Sequence, residues 1–216
     1  MVHQPDNRRA ARRLRSERGS TAIEFALVMI CLVPMFFGTI VMGITIGRSE
    51  EAIQVTRDVG HMYGEGVDFT TADAQQLVTQ LSQGFDLTSG GDSLLIFSHI
   101  ITVFAADCTA ASVSPCSNQG SAVFTQRVYI GNTSLKTSAF GTPAAGYLDS
   151  EGNITAANYL GQGALVANNF TSILTQNDGD VAYVVEGYFK MPDLSFLSSG
   201  FSGGSATGGV YARAIF

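Results

Sequence analysis

The groups in this 216-residue chain that could do chemistry are few: a serine among glycines, three histidines, two cysteines near mid-chain and one glutamate at the edge of an apolar run. Gly200-Phe201-Ser202-Gly203-Gly204 satisfies the G-x-S-x-G string of a hydrolase nucleophile elbow. That chemistry needs a strand-to-helix turn and a histidine later in the chain. Here the string lies in a Ser/Gly-rich stretch, SSGFSGGSATGG, and His3, His61 and His99 all precede it. The loop reading is therefore preferred. Asp193-Leu194-Ser195-Phe196-Leu197 lacks the last serine of a D-x-S-x-S metal motif, and the sequence has neither G-x-x-x-x-G-K nor H-E-x-x-H. The expectation is a protein without catalytic residues, cofactor or metal.

Glu24 is the more informative group, because it opens an uncharged run from Phe25 to Ile46. Those 22 residues make a helix of about 33 Å, enough for a hydrocarbon core of roughly 30 Å. Twelve of them are Leu, Ile, Val or Phe, together worth roughly −4 to −7 kcal/mol of insertion free energy. A carboxylate at the edge of such a span is a cost that asks for a partner. It can also be read more simply, as an N-terminal helix charge lying in the headgroups.

The flanks give the span a direction. Arg8, Arg9, Arg12, Arg13, Arg15 and Arg18 face only Asp6 and Glu17, so residues 1–18 carry +4, whereas residues 19–216 carry −10. Arg48, Glu50 and Glu51 after the run nearly balance. By the positive-inside rule the N-terminus stays cytoplasmic and the chain beyond Arg48 is translocated. A cleaved secretory signal fits poorly, since its apolar region is shorter and ends at a small-residue site. The acidic remainder gives no support for nucleic-acid binding.

A basic leader ending in Gly19, four uncharged residues, then Glu24-Phe25 and an apolar helix resembles the class III signal of type IV prepilins. The resemblance implies that a prepilin peptidase cuts between Gly19 and Ser20 and leaves the helix attached. Glu24 would then be the fifth mature residue and would neutralise the new α-amino group of a neighbouring subunit. The longer stretch GSTAIEFALVMICLVPMFFGTIVMGI is similar to the TadE-like family of the tight-adherence (Flp) pilus apparatus, through Gly19, Glu24, Phe25, Ala26, Pro34 and Gly38. EAIQVTRDVGHMY, with Arg57, resembles the continuation of that helix, while VFTQRVYIGN and SAFGTP are weaker likenesses that map to no known site. Pro34 would bend the helix, and Gly43 and Gly47 form a G-x-x-x-G pattern suited to close helix approach.

Beyond the span the patterns are mixed. Glu50–Tyr63 should prolong the helix until Gly64 and Gly66 end it. Thr71–Gln83 reads as an amphipathic helix capped by Thr70 or Thr71, with Leu77, Val78 and Leu81 on its apolar face. Ser93–Ala105, Ala122–Ile130, Val181–Lys190 and Gly209–Ile215 read as strands, and Ala156–Leu174 as a stretch holding a short helix, with Ala164–Leu174 its best part. Cys108 and Cys116 bracket a Ser/Pro-containing loop on the oxidising side and read as a disulfide; Cys31, inside the span, reads as a small buried hydrophobe.

The expectation is an α+β protein in three parts. These are a leader at 1–19, a transmembrane helix with its continuation at 20–63, and a pilin-like antiparallel periplasmic domain at 64–216. Its implied function is that of a minor pseudopilin of a Flp pilus, held in the inner membrane. The implied partners are the prepilin peptidase, other pilins or pseudopilins, the assembly platform and the membrane. The alternative is a signal-anchored envelope protein whose periplasmic domain binds a ligand or partner.

Overall fold

The structure, a computed structural model, describes residues 7–82, 84–191 and 208–216, with side chains from Ser20 onward. Gly200–Gly204 and Asp193–Leu197 lie outside the described residues. Helix α1 runs over Asn7–Gly64 with Pro34 inside it. It stops where the sequence supplies a glycine able to take a left-handed conformation: Gly66 has φ +91°. The Val67 amide then bonds the Met62 carbonyl at 3.0 Å and the Gly66 amide bonds that of Tyr63 at 3.1 Å. These two bonds form the Schellman pattern that satisfies the last carbonyls. Helix α2, Ala72–Leu81, starts at Thr71, whose side chain accepts from the Ala74 amide.

The helix stops at Leu81, short of the expected end. Its buried residues are Ala74 and Val78, whereas Leu77 and Leu81 are exposed. The apolar stripe is thus wider than the face that packs.

Four antiparallel strands follow: β1 Ser93–Thr102, β2 Ala122–Gly131, β3 Val181–Lys190 and β4 Gly209–Ile215, in spatial order β2-β1-β3-β4. The protein is α+β, as expected. Strand β1 ends three residues earlier than its β-branched composition predicts. The Asp107 carboxylate accepts from the Phe104 amide at 2.8 Å and starts a short helix, α3, Ala105–Ala110. The other short helix, α4, is at Ala156–Gly161. The expectation of a helix over Ala164–Leu174 is corrected. Apart from a 3-10 turn at Gly163–Leu165, that stretch is drawn onto the edge of β2 by a Val123–Val166 bridge and a 2.8 Å bond from the Ala167 amide to the Ala122 carbonyl. Tertiary pairing there outweighs local helix preference.

Two compact units can be told apart, one holding α1 as far as Ile46, the other starting at Gly47 and containing the sheet. In the second unit each face of the sheet is covered. On one face, Ala52, Val55, Val59 and Tyr63 of α1 share a core with Leu95, Phe97, Val185 and Phe189. Close approach is possible because β3 has Gly187 beneath Thr56, where a side chain would collide with the threonine hydroxyl. On the other face, Ile100, Phe124, Ala182 and Val184 pack against Phe140, Ile154, Leu165 and Phe170 from the connections. Each fully buried large aliphatic or aromatic side chain is worth roughly 1.5–3 kcal/mol, so most of the stability resides in these two layers.

The structure contains the Cys108–Cys116 disulfide, a sequence separation of 8. It ties α3 to the connection leading into β2, and both cysteines pack against a small cluster of Val103, Val123 and Leu160. Closing so short a loop restricts the unfolded chain by about 2–3 kcal/mol. Cys108→Ser with Cys116→Ser should therefore lower unfolding stability by that amount in non-reducing denaturant titrations. Wild type under reductant should match the variant. Equal stability of wild type and variant without reductant would refute the contribution.

Candidate functional site

The first candidate is the exposed surface of α1 from Ser20 to Gly47. Among the described residues it is the helix long and apolar enough to cross a membrane. Its best window has mean hydropathy 2.5 and none of it is buried within the chain. Phe25 is 63% exposed and Met35 73%, so the apolar side chains here face outward. Polar side chains in the run bond to the helix itself: the Thr39 hydroxyl donates to the Phe36 carbonyl at 2.8 Å and that of Thr45 to Val41 at 2.9 Å. Such bonds lower the cost of placing a hydroxyl in hydrocarbon.

Gly19 and Ser20 fall within α1, and Glu24 lies one turn after Ser20. The Ser20 hydroxyl donates to Glu24 Oε1 at 3.3 Å. At Gly43 and Gly47, which share a face of the helix, an added Cβ would meet nothing within 4 Å, and Gly38, about 180° round the helix from Gly47, is equally open. Cys31 is exposed, as are the apolar residues around it, because the described chain does not cover this part of the helix.

The second group of interest is polar and buried inside the sheet domain. Arg127 on β2 reaches across β1 to Glu186 on β3, with Nη1 3.9 Å from Oε2 and both side chains sealed from solvent. It passes over Ser98, the residue paired with Arg127 on β1, whose small side chain leaves room for the guanidinium. Arg127 also lies over the Phe124 ring at 4.3 Å and donates through Nη2 to the Gly141 carbonyl at 2.9 Å. Glu186 accepts from the Ser138 hydroxyl, from the Ala139 amide at 2.8 Å and from the Tyr211 hydroxyl at 2.5 Å. Burial pulls the Arg127 guanidinium below its ordinary value, while Tyr129 and Glu186 oppose that shift. Tyr211 is pushed up by burial and by its bond to Glu186.

This pair explains the two sequence stretches that mapped to no site: VFTQRVYIGN supplies the arginine, and SAFGTP supplies the loop that closes over it. With no opening to solvent, the pair is a structural lock and offers no place for a substrate.

A third group sits where α1 meets the sheet. The His99 ring stacks on Tyr63 at 4.7 Å and meets Tyr183 edge-on at 4.6 Å. The Tyr63 hydroxyl donates to Gln126 Oε1 at 2.9 Å, and Gln126 Nε2 donates to Asn153 at 2.8 Å. Burial lowers His99 to about 4. A histidine that is neutral when folded and titrates near 6.5 when unfolded favours folding fully above pH 6.5 and progressively less as pH falls toward 4. The effect is about 1–2 kcal/mol, allowing for solvent at the partly exposed ring. His99→Phe should flatten the pH dependence of thermal unfolding over that interval. An unchanged slope would remove His99 as its source. No group of three or more His, Cys, Asp or Glu suited to a metal occurs among the described residues.

Among the described residues, one N-terminal helix is long and apolar enough to cross a membrane and leads into an α+β domain, an arrangement consistent with a single-pass membrane protein. Residues 19–60 match the family model TadE, described as TadE-like protein, so the likeness covers the N-terminal helix and not the sheet domain. The match begins at Gly19 and covers Glu24, Pro34 and the glycines of the span. It ends at Gly60, within the stretch of α1 that packs on the sheet. Neither a curated protein nor a solved structure matches the chain.

Proposed function

We propose that this protein is a minor pseudopilin of a Flp/Tad-type pilus. It is inserted in the inner membrane with its N-terminus cytoplasmic and its sheet domain periplasmic. A prepilin peptidase removes residues 1–19, and the protein then takes part in starting, priming or capping the filament through α1. The observation that carries this reading is Glu24, five residues after Gly19, at the head of an apolar run in α1 of which none is buried within the chain. Cleavage at Gly19 would create an α-amino group at Ser20 with a pKa near 7.7–8.0, largely cationic at neutral pH. The Glu24 carboxylate of an adjoining subunit is a suitable partner for it in a low dielectric. Gly43 and Gly47, on one face, would let another helix approach closely. The partners are the peptidase, other pilins or pseudopilins and the assembly platform, and the role is structural and not enzymatic.

The test is the N-terminal sequence and intact mass of the full-length product, purified from membranes of cells with and without the peptidase. A chain starting at Ser20 only when the peptidase is present is expected. A chain that keeps residues 1–19 in peptidase-containing membranes would overturn the reading in favour of a signal-anchored binding module.

A further inference from the structure

The two edges of the sheet differ. Along β2 the outer edge is taken: the Arg127 amide donates to the Gly152 carbonyl at 2.8 Å, the Ile154 amide to Thr125 at 2.9 Å and the Ala167 amide to Ala122 at 2.8 Å. Strand β4, at the other end of the order, has no strand beyond it among the described residues. Its register on β3 is unbroken from Gly209 to Ile215. Tyr183 and Phe216 exchange both of their backbone bonds at 3.0 Å, and the Met191 amide reaches the Gly208 carbonyl, also at 3.0 Å. Antiparallel alternation then points Val210, Ala212 and Ala214 at β3. It leaves the amides and carbonyls of Gly209, Tyr211, Arg213 and Ile215 facing outward. The strand has neither a proline nor a bulge, devices that commonly blunt an open edge.

The surroundings of that edge are basic. Helix α1 touches β4 through two glycines: a Cβ at Gly60 would meet that of Ala214 at 3.1 Å, and one at Gly64 would meet that of Phe216 at 3.3 Å. Ile53 and Arg57 precede Gly60 by seven and three residues, so they continue the same stripe of the helix along β4. Both are exposed, Ile53 by 51%. On the opposite face of the sheet Arg213 is exposed over the Phe140 ring, and Lys190 is paired with Gly209. Beyond Gly47 the chain has six lysines and arginines. Arg127 is buried with Glu186, and Arg48 holds Glu51 and the Gly84 carbonyl. Of the other four, Arg57, Lys190 and Arg213 border this edge and form no ion pair among the described residues. Glu186, opposite Arg213 in the register, is committed to Arg127. Glu50 lies at the end of the stripe nearer Gly47, away from Arg57.

A row of free backbone groups can take up another extended chain, and cations on both sides of it select an anionic one. We propose that the outer edge of β4 receives an extended acidic strand from another protein. That strand bonds the backbone of Tyr211, Arg213 and Ile215. Two adjacent carboxylates on it point to opposite faces and meet Arg57 on one and Arg213 on the other. A second copy of β4 is the poorer occupant, because it would set this basic edge against itself.

Amide exchange of the full chain in detergent micelles, followed residue by residue by NMR, tests the assignment. In the protein alone the amides of Tyr211, Arg213 and Ile215 should exchange faster than those of Val210, Ala212 and Ala214. A blocked peptide Thr-Val-Glu-Glu-Val-Thr in large excess should slow the first three about tenfold and leave the second three unchanged. Thr-Val-Lys-Lys-Val-Thr should have no such effect. Arg57→Glu, an exposed change outside the core, should weaken the response to the acidic peptide by about fivefold or more. Outward amides already protected in dilute protein would mean that the chain covers its own edge. Protection that grows with protein concentration would assign the edge to a second copy. Equal effects of the two peptides, or none from either, would remove the acidic strand. Each of these three results overturns the proposal.

Discussion

Glu24→Ala should leave leader removal and membrane insertion unchanged and sharply reduce filament assembly. The first half follows from what the side chain contributes to the precursor. Insertion is driven by the run from Phe25 to Ile46, and removing a carboxylate from its edge removes a cost. The bond proposed to be cut lies between Gly19 and Ser20, a turn away from Glu24. Within the chain the carboxylate is held by the Ser20 hydroxyl at 3.3 Å, a local bond that holds no tertiary contact in place. The fold should therefore be indifferent to its loss.

The second half follows from what a subunit loses on joining a helical bundle. An α-ammonium group taken out of water without its counter-charge costs about 3–5 kcal/mol relative to the paired state. That corresponds to a loss of roughly two to nearly four orders of magnitude in the joining equilibrium. Glu24→Gln, which keeps shape and hydrogen bonding but not charge, should fall nearly as far. Glu24→Asp, one methylene short of the reach, should fall less. The readouts are surface pilus yield and the N-terminal mass of each variant. Normal piliation with Glu24→Ala would eliminate the charge role, and loss of processing would relocate the role to peptidase recognition.

How much of this was legible in the sequence depended on how local the physics was. The long apolar helix follows from composition and length, and the direction proposed for it rests on the arginines that precede it. Strands β3 and β4 have the bounds expected from their β-branched and aromatic runs, since each is bordered by clear turn residues. The two short helices were less legible. Six residues around Cys108 form α3 because one carboxylate, Asp107, caps the Phe104 amide, a signal present in the sequence as an acid three residues past the start. Ala164–Leu174 has helix-forming residues but is claimed by the edge of β2, which local propensity cannot reveal. The division of the α2 stripe into a buried part and an exposed part was equally hidden, because periodicity marks an apolar face without saying how much of it packs. Least legible was the link between Arg127 and Glu186. Each stands in mid-strand, Glu186 directly after Val184 and Val185, and that oddity was the available signal. Their meeting across β1 required the strand order.

Arg127→Ala or Glu186→Ala should each destabilise the sheet domain by about 3–5 kcal/mol, a large part of the roughly 5–15 kcal/mol that holds a typical domain. Either change leaves one buried charge without its partner, and water has no route to it at 0% and 1% side-chain exposure. Glu186→Ala carries the further loss of three acceptor contacts, to Ser138, Ala139 and Tyr211, so it should be the worse of the two. Desolvation makes the argument asymmetric. A buried ion pair contributes little net stability compared with apolar groups of equal volume, yte losing half of it is costly. The double variant Arg127→Met with Glu186→Gln removes both charges while the glutamine keeps a carbonyl for the Ser138–Ala139 loop. It should therefore be less destabilised than the sum of Arg127→Met and Glu186→Gln by about 2 kcal/mol or more. Urea titrations of the full chain in detergent micelles, followed by circular dichroism, measure all four corners of that cycle. A coupling near zero would mean that Glu186 serves the loop alone, and that Arg127 is stabilised by the Phe124 ring and the Gly141 carbonyl without it.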